Sequence, residues 1–504
     1  MCSTGEIGAL ARRLRLHPVP DGRSHEDALT ELRLRGAFLA AIGQQSLSVV
    51  AELTRRDFLE RGAAAAGVLA VSGVPNARAA SERFDGTIRV ATLGFDLGFV
   101  SSVASRAEKD LGLRILVEFA GPDIMNRWVR QQPAAFDILS GFNHLINPNW
   151  PTGNLQPVEI AKIARWKEIS PLLKLGKLRP GDRRCTYGQG DAAFRRLYLD
   201  PERSGRWRSA AGTPRELEGL VVEWADEKTG LPVGPEPRFC TGVPGVFNLD
   251  SFGYNARVIR KRPEQLSWAE LLNRKWRGRV ALLIDPFVGF QDAGNAAQAA
   301  GLVRFGDLGD PTRREIDALV KLLLVLKRRK HFYNLWSDPG DAAAWMRSGH
   351  VVVESMWAFT ISPLAALGFP VRQAAPREGY RAFAGAYSIS STVTDPARLR
   401  ACYDFINWWH SGYAGSVMLR FGYLNAVEAT SRRFMAANEY AYWLEGKPAA
   451  RDYPGPFGDI VVRKGQVRDG GPFSRRVCRI ASWNSWPKEA DYLLRRWDEF
   501  ASTF

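Results

Sequence analysis

Residue patterns that support catalysis are scarce in this 504-residue sequence. It contains no G-x-x-x-x-G-K-[ST] phosphate loop, no G-x-S-x-G nucleophile turn and no H-E-x-x-H zinc helix. The six histidines are isolated from one another, so we expect packing or surface positions for them. Carboxylate pairs that act as acid and base come together only in the fold, so the sequence does not exclude such a pair. The sequence favours binding over catalysis and indicates no cofactor.

The five cysteines have no C-x-x-C spacing, which argues against a zinc ribbon or a thioredoxin-like motif. Four of them, Cys185, Cys240, Cys402 and Cys478, lie after residues 54–79, which have the order of a cleavable export signal, as described below. In an oxidising compartment four cysteines allow three connectivities. Because Cys185 and Cys240 bracket an irregular stretch, we expect these two to form a disulfide.

Composition indicates a folded, soluble chain. Apolar residues make up 45% and charged residues 24%, which argues against a largely disordered chain and against a polytopic membrane protein. The formal charge is +16, but the basic residues are scattered, and the densest run is only 327–330. No nucleic-acid-binding pattern surrounds that run, so we expect no nucleic acid partner.

Residues 54–79 have the order of an export signal. Arg55 and Arg56 precede a short apolar run at 62–74, which is too short to span a bilayer, and an A-x-A cleavage site ends at Ala79. The segment resembles a twin-arginine signal, which implies the twin-arginine translocase as a partner during export, cleavage near Ala79/Ala80 and a periplasmic location.

Residues 1–53 fit such a signal poorly, because no methionine lies between Met1 and Met125. Either the n-region is unusually long, or translation starts at a non-Met codon near 49–53. We favour the second alternative, which the intact mass of the unprocessed precursor tests.

Alternating hydrophobic patterns predict an α/β fold that begins as a doubly wound, mostly parallel sheet. The first predicted elements are strands at 87–93, 113–119 and 136–140, with helices at 100–111 and 124–132.

The rest of the chain continues this alternation after an irregular, Gly- and Pro-rich insertion at 176–245. Further strands are predicted at 246–255, 278–285, 351–356, 370–374 and 387–393, with helices at 268–273, 313–329, 396–409 and 488–500.

Several segments resemble the spermidine/putrescine-binding family of type II periplasmic binding proteins. Ser267-Trp268-Ala269-Glu270-Leu271-Leu272 and Trp276-Arg277-Gly278-Arg279, followed by Asp285, are similar to that family's "SWADL…W-K-G-K…D" pattern. The segments 346–357, 366–379 and 401–425 follow in the order that the family shows.

The resemblance implies two α/β lobes joined by crossover strands near 252–255 and 383–388, with the ligand in the cleft between them. The expected organisation is an upstream extension at 1–53, the signal at 54–79, lobe one at 86–250 plus 385–445 with the insertion 176–245, lobe two at 256–376, and a C-terminal strap at 446–504.

The resemblance also implies which residues face the ligand, and these are Phe95, Asp96, Ser140, Phe142, Asp285, Trp357, Phe383 and Tyr387. The family binds polyamines between aromatic rings and carboxylates. Here the family's acidic position two residues after Phe383 is Gly385, and its acidic pair is reduced to Asp285. Asp96 or Glu354 could substitute. We therefore expect a small organic solute with at most one cationic end, polyamine-like, mono-cationic or zwitterionic.

The implied function is that of the substrate-binding component of an ABC importer. Its partners would be the small-molecule solute, a membrane permease and that permease's ATPase. Closure of the two lobes around the solute would present a changed surface to the permease. The alternative is an exported enzyme of the hydrolase type.

Overall fold

The computed structural model describes residues 84–93, 101–200, 202, 207 and 214–502. Contacts divide the chain at Glu82/Arg83, and everything described here belongs to the unit that begins at Arg83. The predicted extension, twin-arginine signal and cleavage site lie outside the described residues. No helix in the described part of the chain is long and apolar enough to cross a membrane.

Short and long strands alternate with helices along the chain. The strands are Thr87–Thr92 (β1), Arg114–Phe119 (β2), Ile138–Phe142 (β3), Leu155–Gln156 (β4), Val158–Glu159 (β5), Gln189–Gly190 (β6), Tyr198–Leu199 (β7), Val221–Val222 (β8), Phe239–Cys240 (β9), Val243–Asn255 (β10), Val280–Leu283 (β11), Phe332–Trp336 (β12), Val353–Met356 (β13), Val371–Gln373 (β14), Tyr380–Ser390 (β15), Leu424–Asn425 (β16), Tyr453–Pro454 (β17), Ile460–Val462 (β18) and Ile480–Trp483 (β19).

The α-helices are Ser101–Leu111 (α1), Pro122–Gln131 (α2), Asn143–Asn149 (α3), Pro171–Leu175 (α4), Pro214–Glu218 (α5), Val288–Ala299 (α6), Arg313–Arg328 (α7), Pro339–Ser348 (α8), Ala358–Ala366 (α9), Pro396–Trp409 (α10), Tyr413–Arg420 (α11), Ala437–Tyr440 (α12), Phe473–Arg476 (α13) and Ala490–Ala501 (α14).

Sequence signals explain where the longer helices begin and end. Thr312 and Glu315 form a reciprocal capping box at the start of α7. Asp395 accepts a hydrogen bond from the Arg398 amide, and Pro396 at the first position suits the fixed φ of proline. Helix α8 ends at Gly349, whose φ of 79° is costly for residues with a Cβ.

One sheet runs through both halves of the molecule, in the order β12-β11-β13-β10-β15-β3-β1-β2. Strands β1, β2 and β3 are parallel at one end, and β11, β12 and β13 are parallel at the other. The long strands β10 and β15 lie between them, antiparallel to each other and buried along their whole lengths. These two strands join the two halves. The predicted α/β fold is confirmed.

The predicted insertion 176–245 holds more structure than its composition indicates. Strands β7, β8 and β9 lie within it. Together with β5 they form a separate four-stranded sheet in the order β5-β9-β7-β8. The predicted helix at 268–273 is a 3-10 turn, Trp268–Leu272. The predicted strand at 387–393 begins earlier, at Tyr380, and ends at Ser390.

The C-terminal segment contributes to both halves. Strand β19 pairs in parallel with β15, and Ile480 and Trp483 belong to the core that packs beneath β1 and β3. Helix α14 packs instead on α7, where Tyr492 and Arg496 both bond Asp317. The boundaries of the two lobes and of the strap stay predictions.

Cysteine pairing differs from the expectation. Cys185 forms a disulfide with Cys478, and Cys240 is a buried free thiol in β9. The prediction of a Cys185–Cys240 pair is wrong, because strand pairing places Cys240 in the centre of the small sheet, while the bridge Thr186–Arg479 brings the neighbour of Cys185 to the C-terminal segment. The crosslink therefore fastens the insertion to the last sixty residues of the chain.

Non-reducing peptide mapping of exported protein is expected to recover Cys185 linked to Cys478. We expect Cys478→Ser to lower the free energy of unfolding by about 2–5 kcal/mol, because the crosslink restricts the unfolded chain. Cys402→Ala, which removes a buried thiol outside the crosslink, is the control. Recovery of a Cys185–Cys240 peptide would contradict this arrangement.

A buried carboxyl lies in β13, which is parallel to β11 and adjoins the joining strand β10. Glu354 in β13 is fully buried, and neither of its carboxyl oxygens has a hydrogen-bond partner among the described residues. Burial raises the pKa of Glu354 well above its usual value. The group is therefore held neutral and supplies no fixed charge to a ligand.

Glu354 makes stability depend on pH in a defined direction. The folded chain keeps a proton that the unfolded chain loses above about pH 4.3, so the free energy of unfolding falls as pH rises above that value. We expect Glu354→Leu to raise that free energy at pH 8 by about 1–3 kcal/mol and to flatten the dependence, as urea denaturation from pH 4 to 8 measures. Glu354→Gln, which cannot titrate but keeps a buried polar group, is expected to flatten the dependence with less stabilisation. Destabilisation by Glu354→Leu at pH 8 would be inconsistent with a neutral, unsatisfied carboxyl.

Candidate functional site

The carboxyl ends of the parallel strands carry three of the eight predicted site residues, Phe142, Trp357 and Asp285, together with Trp336, which was not predicted. Phe142 ends β3 and Trp336 ends β12, while Trp357 comes directly after β13. Asp285 lies two residues beyond β11. Ligands of open α/β sheets bind at this edge, because the loops and helix N-termini that face them start there.

A continuous line of aromatic contacts connects these strand ends across the two halves. We call it the aromatic row, and its members in order of contact are Trp336, Trp357, Phe359, Tyr423, Phe383 and Phe142. Successive ring centroids lie 5.1, 5.4, 6.1, 5.6 and 5.1 Å apart. These spacings are those of packed aromatic pairs.

The aromatic row contains three of the predicted site residues. Phe142 contacts Phe383 edge to face at 5.1 Å, while Trp357 reaches the same row from the other half through Phe359. Phe142, Phe359 and Trp357 are half-buried. Phe142 also stacks on His144 at 5.2 Å.

The other predicted residues lie in different surroundings. Ser140 is buried in β3, directly across from Tyr387 in β15. The Tyr387 ring packs on Phe405 and Trp409 of α10, in the core and away from the aromatic row. Phe95 and Asp96 lie outside the described residues.

A buried arginine lies beside the aromatic row. Arg381 in β15 is 1% exposed, and its Nε donates to Asp292 Oδ1 of α6 at 2.7 Å. Its Nη1 donates to Asn484 Oδ1 of the C-terminal segment at 2.8 Å. Asp250 is directly across from Arg381 in the β10–β15 ladder. We call Arg381, Asp250, Asp292 and Asn484 the Arg381 cluster.

The cluster and the aromatic row are neighbours, because Arg381 and Phe383 lie two residues apart in β15 and so project from the same face of the sheet. Burial raises the pKa of Tyr423 well above its usual value, and the negative charge of Asp250 adds to that effect. Burial lowers the pKa of His144 to about 4, and the positive charge of Arg381 acts in the same direction. Both rings therefore stay neutral near pH 7.

The carboxyls of the cluster are only partly compensated. Burial raises the pKa values of Asp250 and Asp292 to about 6, although the charge of Arg381 acts to lower both. Near pH 7 both are mostly ionised. Asp285 adds a third carboxylate, whose charge raises the pKa of Asp292. Within the Arg381 cluster, the carboxylates of Asp250 and Asp292 therefore outnumber the one guanidinium, which leaves an excess of negative charge.

Two buried acceptors in this region have no donor. Asp292 Oδ2 and Asn248 Oδ1 have no hydrogen-bond partner among the described residues, although both side chains are almost completely buried. Asn248 Nδ2 donates to Asp250 Oδ1 at 3.1 Å, so its amide oxygen is the free end. Unsatisfied buried acceptors are costly, and a ligand that brings N–H donors would satisfy them.

Asp285 has a second, structural role. Its Oδ1 accepts hydrogen bonds from the amides of Phe287 and Val288 at 3.0 and 2.7 Å, at the start of α6. These bonds satisfy amides that the first turn of a helix leaves free. The carboxylate is half-buried and held in a fixed position near Asp292.

Sequence reasoning missed Arg381, Asp250, Asp292 and Tyr423. The only local signal was a charged residue inside a strand of buried character, as with Asp250 in β10 and Arg381 in β15. In residues 84–93, 101–200 and 214–502, no group of His, Cys, Asp and Glu could hold a metal ion.

Comparisons with known proteins bear on the family and the fold. The family model described as bacterial extracellular solute-binding protein matches residues 218–414. No curated protein matches the chain. A putative spermidine/putrescine ABC transporter protein from Listeria monocytogenes is similar in structure, with a TM-score of 0.51, 12% identity and coverage of 82% of this chain and 99% of that one.

Two further structures are similar at lower scores. The spermidine/putrescine ABC transporter substrate-binding protein of Streptococcus pneumoniae has a TM-score of 0.48 and 12% identity, covering 83% of this chain and 100% of that one. An ABC transporter substrate-binding protein of Bradyrhizobium japonicum has a TM-score of 0.49 and 15% identity, covering 82% and 99%. The resemblance inferred from the sequence is confirmed: residues 218–414 carry the pattern of the bacterial extracellular solute-binding family, and the chain has the two-lobe fold of periplasmic binding proteins.

Proposed function

We propose that this protein captures a small organic solute with a single cationic end and delivers it to an ABC permease and its ATPase outside the cytoplasm. The observation that carries the proposal is the aromatic row, which contacts both parallel strand groups and adjoins the Arg381 cluster. A ligand lying against this row touches both halves and so favours the closed arrangement of the two lobes.

The excess of carboxylates determines the charge of the solute. An ammonium group has three donors and no acceptor, which matches the free oxygens of Asp292 and Asn248. Aromatic faces also attract cations, by about 0.5–2 kcal/mol each. The cationic end therefore lies toward the Arg381 cluster, and the apolar body lies along the aromatic row.

Two carboxylates lie near the far end of the aromatic row, at Trp336 and Trp357: Asp285 follows β11, the partner of β12, and Asp338 follows Trp336 by two residues. Both accept hydrogen bonds from backbone amides at helix starts, Asp285 from Phe287 and Val288 and Asp338 from Gly340. Glu354 of the adjacent β13 is held neutral by burial. A linear polyamine would have to bury its second ammonium there against carboxylates that backbone amides already stabilise, which makes this end the weaker site for a cation. This contrasts with the function in the description of the similar Listeria protein, a spermidine/putrescine transporter.

The alternative of an exported hydrolase has no observation in its favour. The family model that matches the chain describes solute-binding proteins. The carboxylates nearest the aromatic row bond Arg381, Asn248 and the amides that begin α6. These contacts are suited to holding a charge at a fixed place.

Isothermal titration calorimetry at pH 7.5 tests the ligand class. A primary monoamine with an apolar body and an ω-amino acid are titrated beside putrescine and spermidine. We expect at least one of the first pair to bind about tenfold more tightly than either polyamine, because the carboxylates near the far end of the row are already bonded to backbone amides. Tight spermidine binding that survives Asp285→Asn would contradict the proposed charge arrangement.

Two substitutions with matched controls test the site itself. We expect Trp357→Ala to lower affinity about tenfold or more, since it removes an aromatic face. Trp345→Ala, a half-buried tryptophan whose ring packs on Tyr333 outside the row, is the control.

Asp285→Asn keeps a helix-capping side chain but removes the charge. Its control is Asp395→Asn, which makes the same change at the start of α10. Equal losses of affinity in the site variants and their control variants would contradict the proposed site.

A further inference from the structure

A cavity separate from the aromatic row is lined by none of the eight predicted site residues. Its volume is about 280 Å³. Helix α9 and strand β14 form one wall, through Ile361 and Val371, while Tyr442, Trp443 and the segment 466–469 form the other. The cavity thus depends on residues of the C-terminal segment.

The wall of this cavity carries an arginine with an incomplete set of partners. Arg468 is 8% exposed, and its Nη2 donates to the Gly422 carbonyl oxygen at 3.0 Å. Its guanidinium carbon lies 4.8 Å from the centre of the Trp443 ring. Its Nη1 has no acceptor among the described residues, and no described carboxylate forms an ion pair with it.

Other buried donors surround the same place. Trp443 Nε1 has no acceptor in the described part of the chain, and the same holds for Nε and Nη2 of Arg476, which is 2% exposed. Burial lowers the pKa of Arg468 to about 9, and the charge of nearby Arg476 adds to this. The two guanidiniums therefore repel each other inside the protein.

The nearest carboxylate of the cavity wall is already bound elsewhere. Asp469 Oδ1 accepts from Arg372 Nε at 2.9 Å, and its Oδ2 accepts from the Gln373 amide at 2.8 Å. Asp250, which also interacts with Arg468 through charge, belongs to the Arg381 cluster. Among the residues that line the cavity, Arg372 and Arg468 together exceed the single charge of Asp469, so its lining is cationic.

We propose that this cavity binds a small oxyanion, a carboxylate or a phosphate, through Arg468 and Trp443. A guanidinium stays charged in proteins, and burying it without a hydrogen-bonded counter-ion is costly. An oxyanion has only acceptors, which suits unpaired guanidinium and indole N–H groups, and the planar guanidinium binds two of its oxygens at once. The apolar wall at Ile361 and Val371 leaves room for a short carbon chain.

Titration of the purified mature protein with inorganic phosphate and, separately, with butyrate tests this site. At constant ionic strength set with NaCl, we expect at least one of the two to bind saturably and to raise the melting temperature by about 2 °C or more. Tighter binding of butyrate indicates an organic carboxylate, and tighter binding of phosphate indicates an inorganic or phosphorylated ligand. Failure of both anions to exceed chloride overturns the proposal.

Substitutions locate the anion. Arg468→Met is expected to weaken binding at least tenfold, and Arg475→Met, at an exposed arginine next to Arg476, is expected to leave it unchanged. Trp443→Phe keeps an aromatic ring and removes only the indole donor, so a loss of a few fold is expected. Should Arg468→Met fail to fold, Arg468→Lys, which keeps the charge without the planar fork, is expected to weaken binding as well. Equal losses in the Arg468 and Arg475 variants, or no loss in the Arg468→Lys and Trp443→Phe variants, would rule out this site.

Discussion

The ion pair between Arg381 and Asp292 is the constraint on which the centre of this molecule depends. Its Nε–Oδ1 distance is 2.7 Å, and both side chains are at most 2% exposed. It ties the joining strand β15 to helix α6, and Asn484 ties the same guanidinium to the C-terminal segment. Loss of one partner of a buried pair costs about 3–5 kcal/mol, because the other charge is left uncompensated. Three separate parts of the chain are therefore held at one point.

The geometry around this ion pair explains why a binding site forms here. Arg381 lies across from Asp250 where β10 and β15 run side by side between the two parallel groups. The strand ends of both groups place aromatic rings beside it, and Tyr423 connects the rings of the two halves. A polar interior with excess negative charge and an aromatic surface are thus supplied by different elements. Both are needed for a solute that has a cationic end and an apolar body.

Local pattern was sufficient to predict eight strands and five α-helices, but it missed others, including β12 and α6. The helix predicted at 396–409 has those bounds in the structure, and the alternation at 87–93 corresponds to β1. Phe142, Trp357 and Phe383 were chosen from a family resemblance, and they meet in one aromatic row. Patterns of this kind depend on residues that are close in sequence, so they can be recognised before the fold is known.

Long-range pairing could not be predicted in the same way. Cys185 and Cys478 are separated by 293 positions, and four cysteines allow three connectivities that no local signal distinguishes. Arg381, Asp250 and Asp292 come from two strands and a helix, so their shared charge balance exists only in the fold. Tyr387 was chosen beside Phe383, yet its ring packs toward α10, where Phe405 and Trp409 fill the core.

Native mass spectrometry of the protein purified from its source, without denaturation, tests the central claim most directly. The account predicts one retained small molecule whose fragmentation shows a single basic nitrogen attached to an apolar body. Retention of a molecule with two or more ammonium groups, such as a linear polyamine, would contradict the account, which places a single cationic end at the Arg381 cluster.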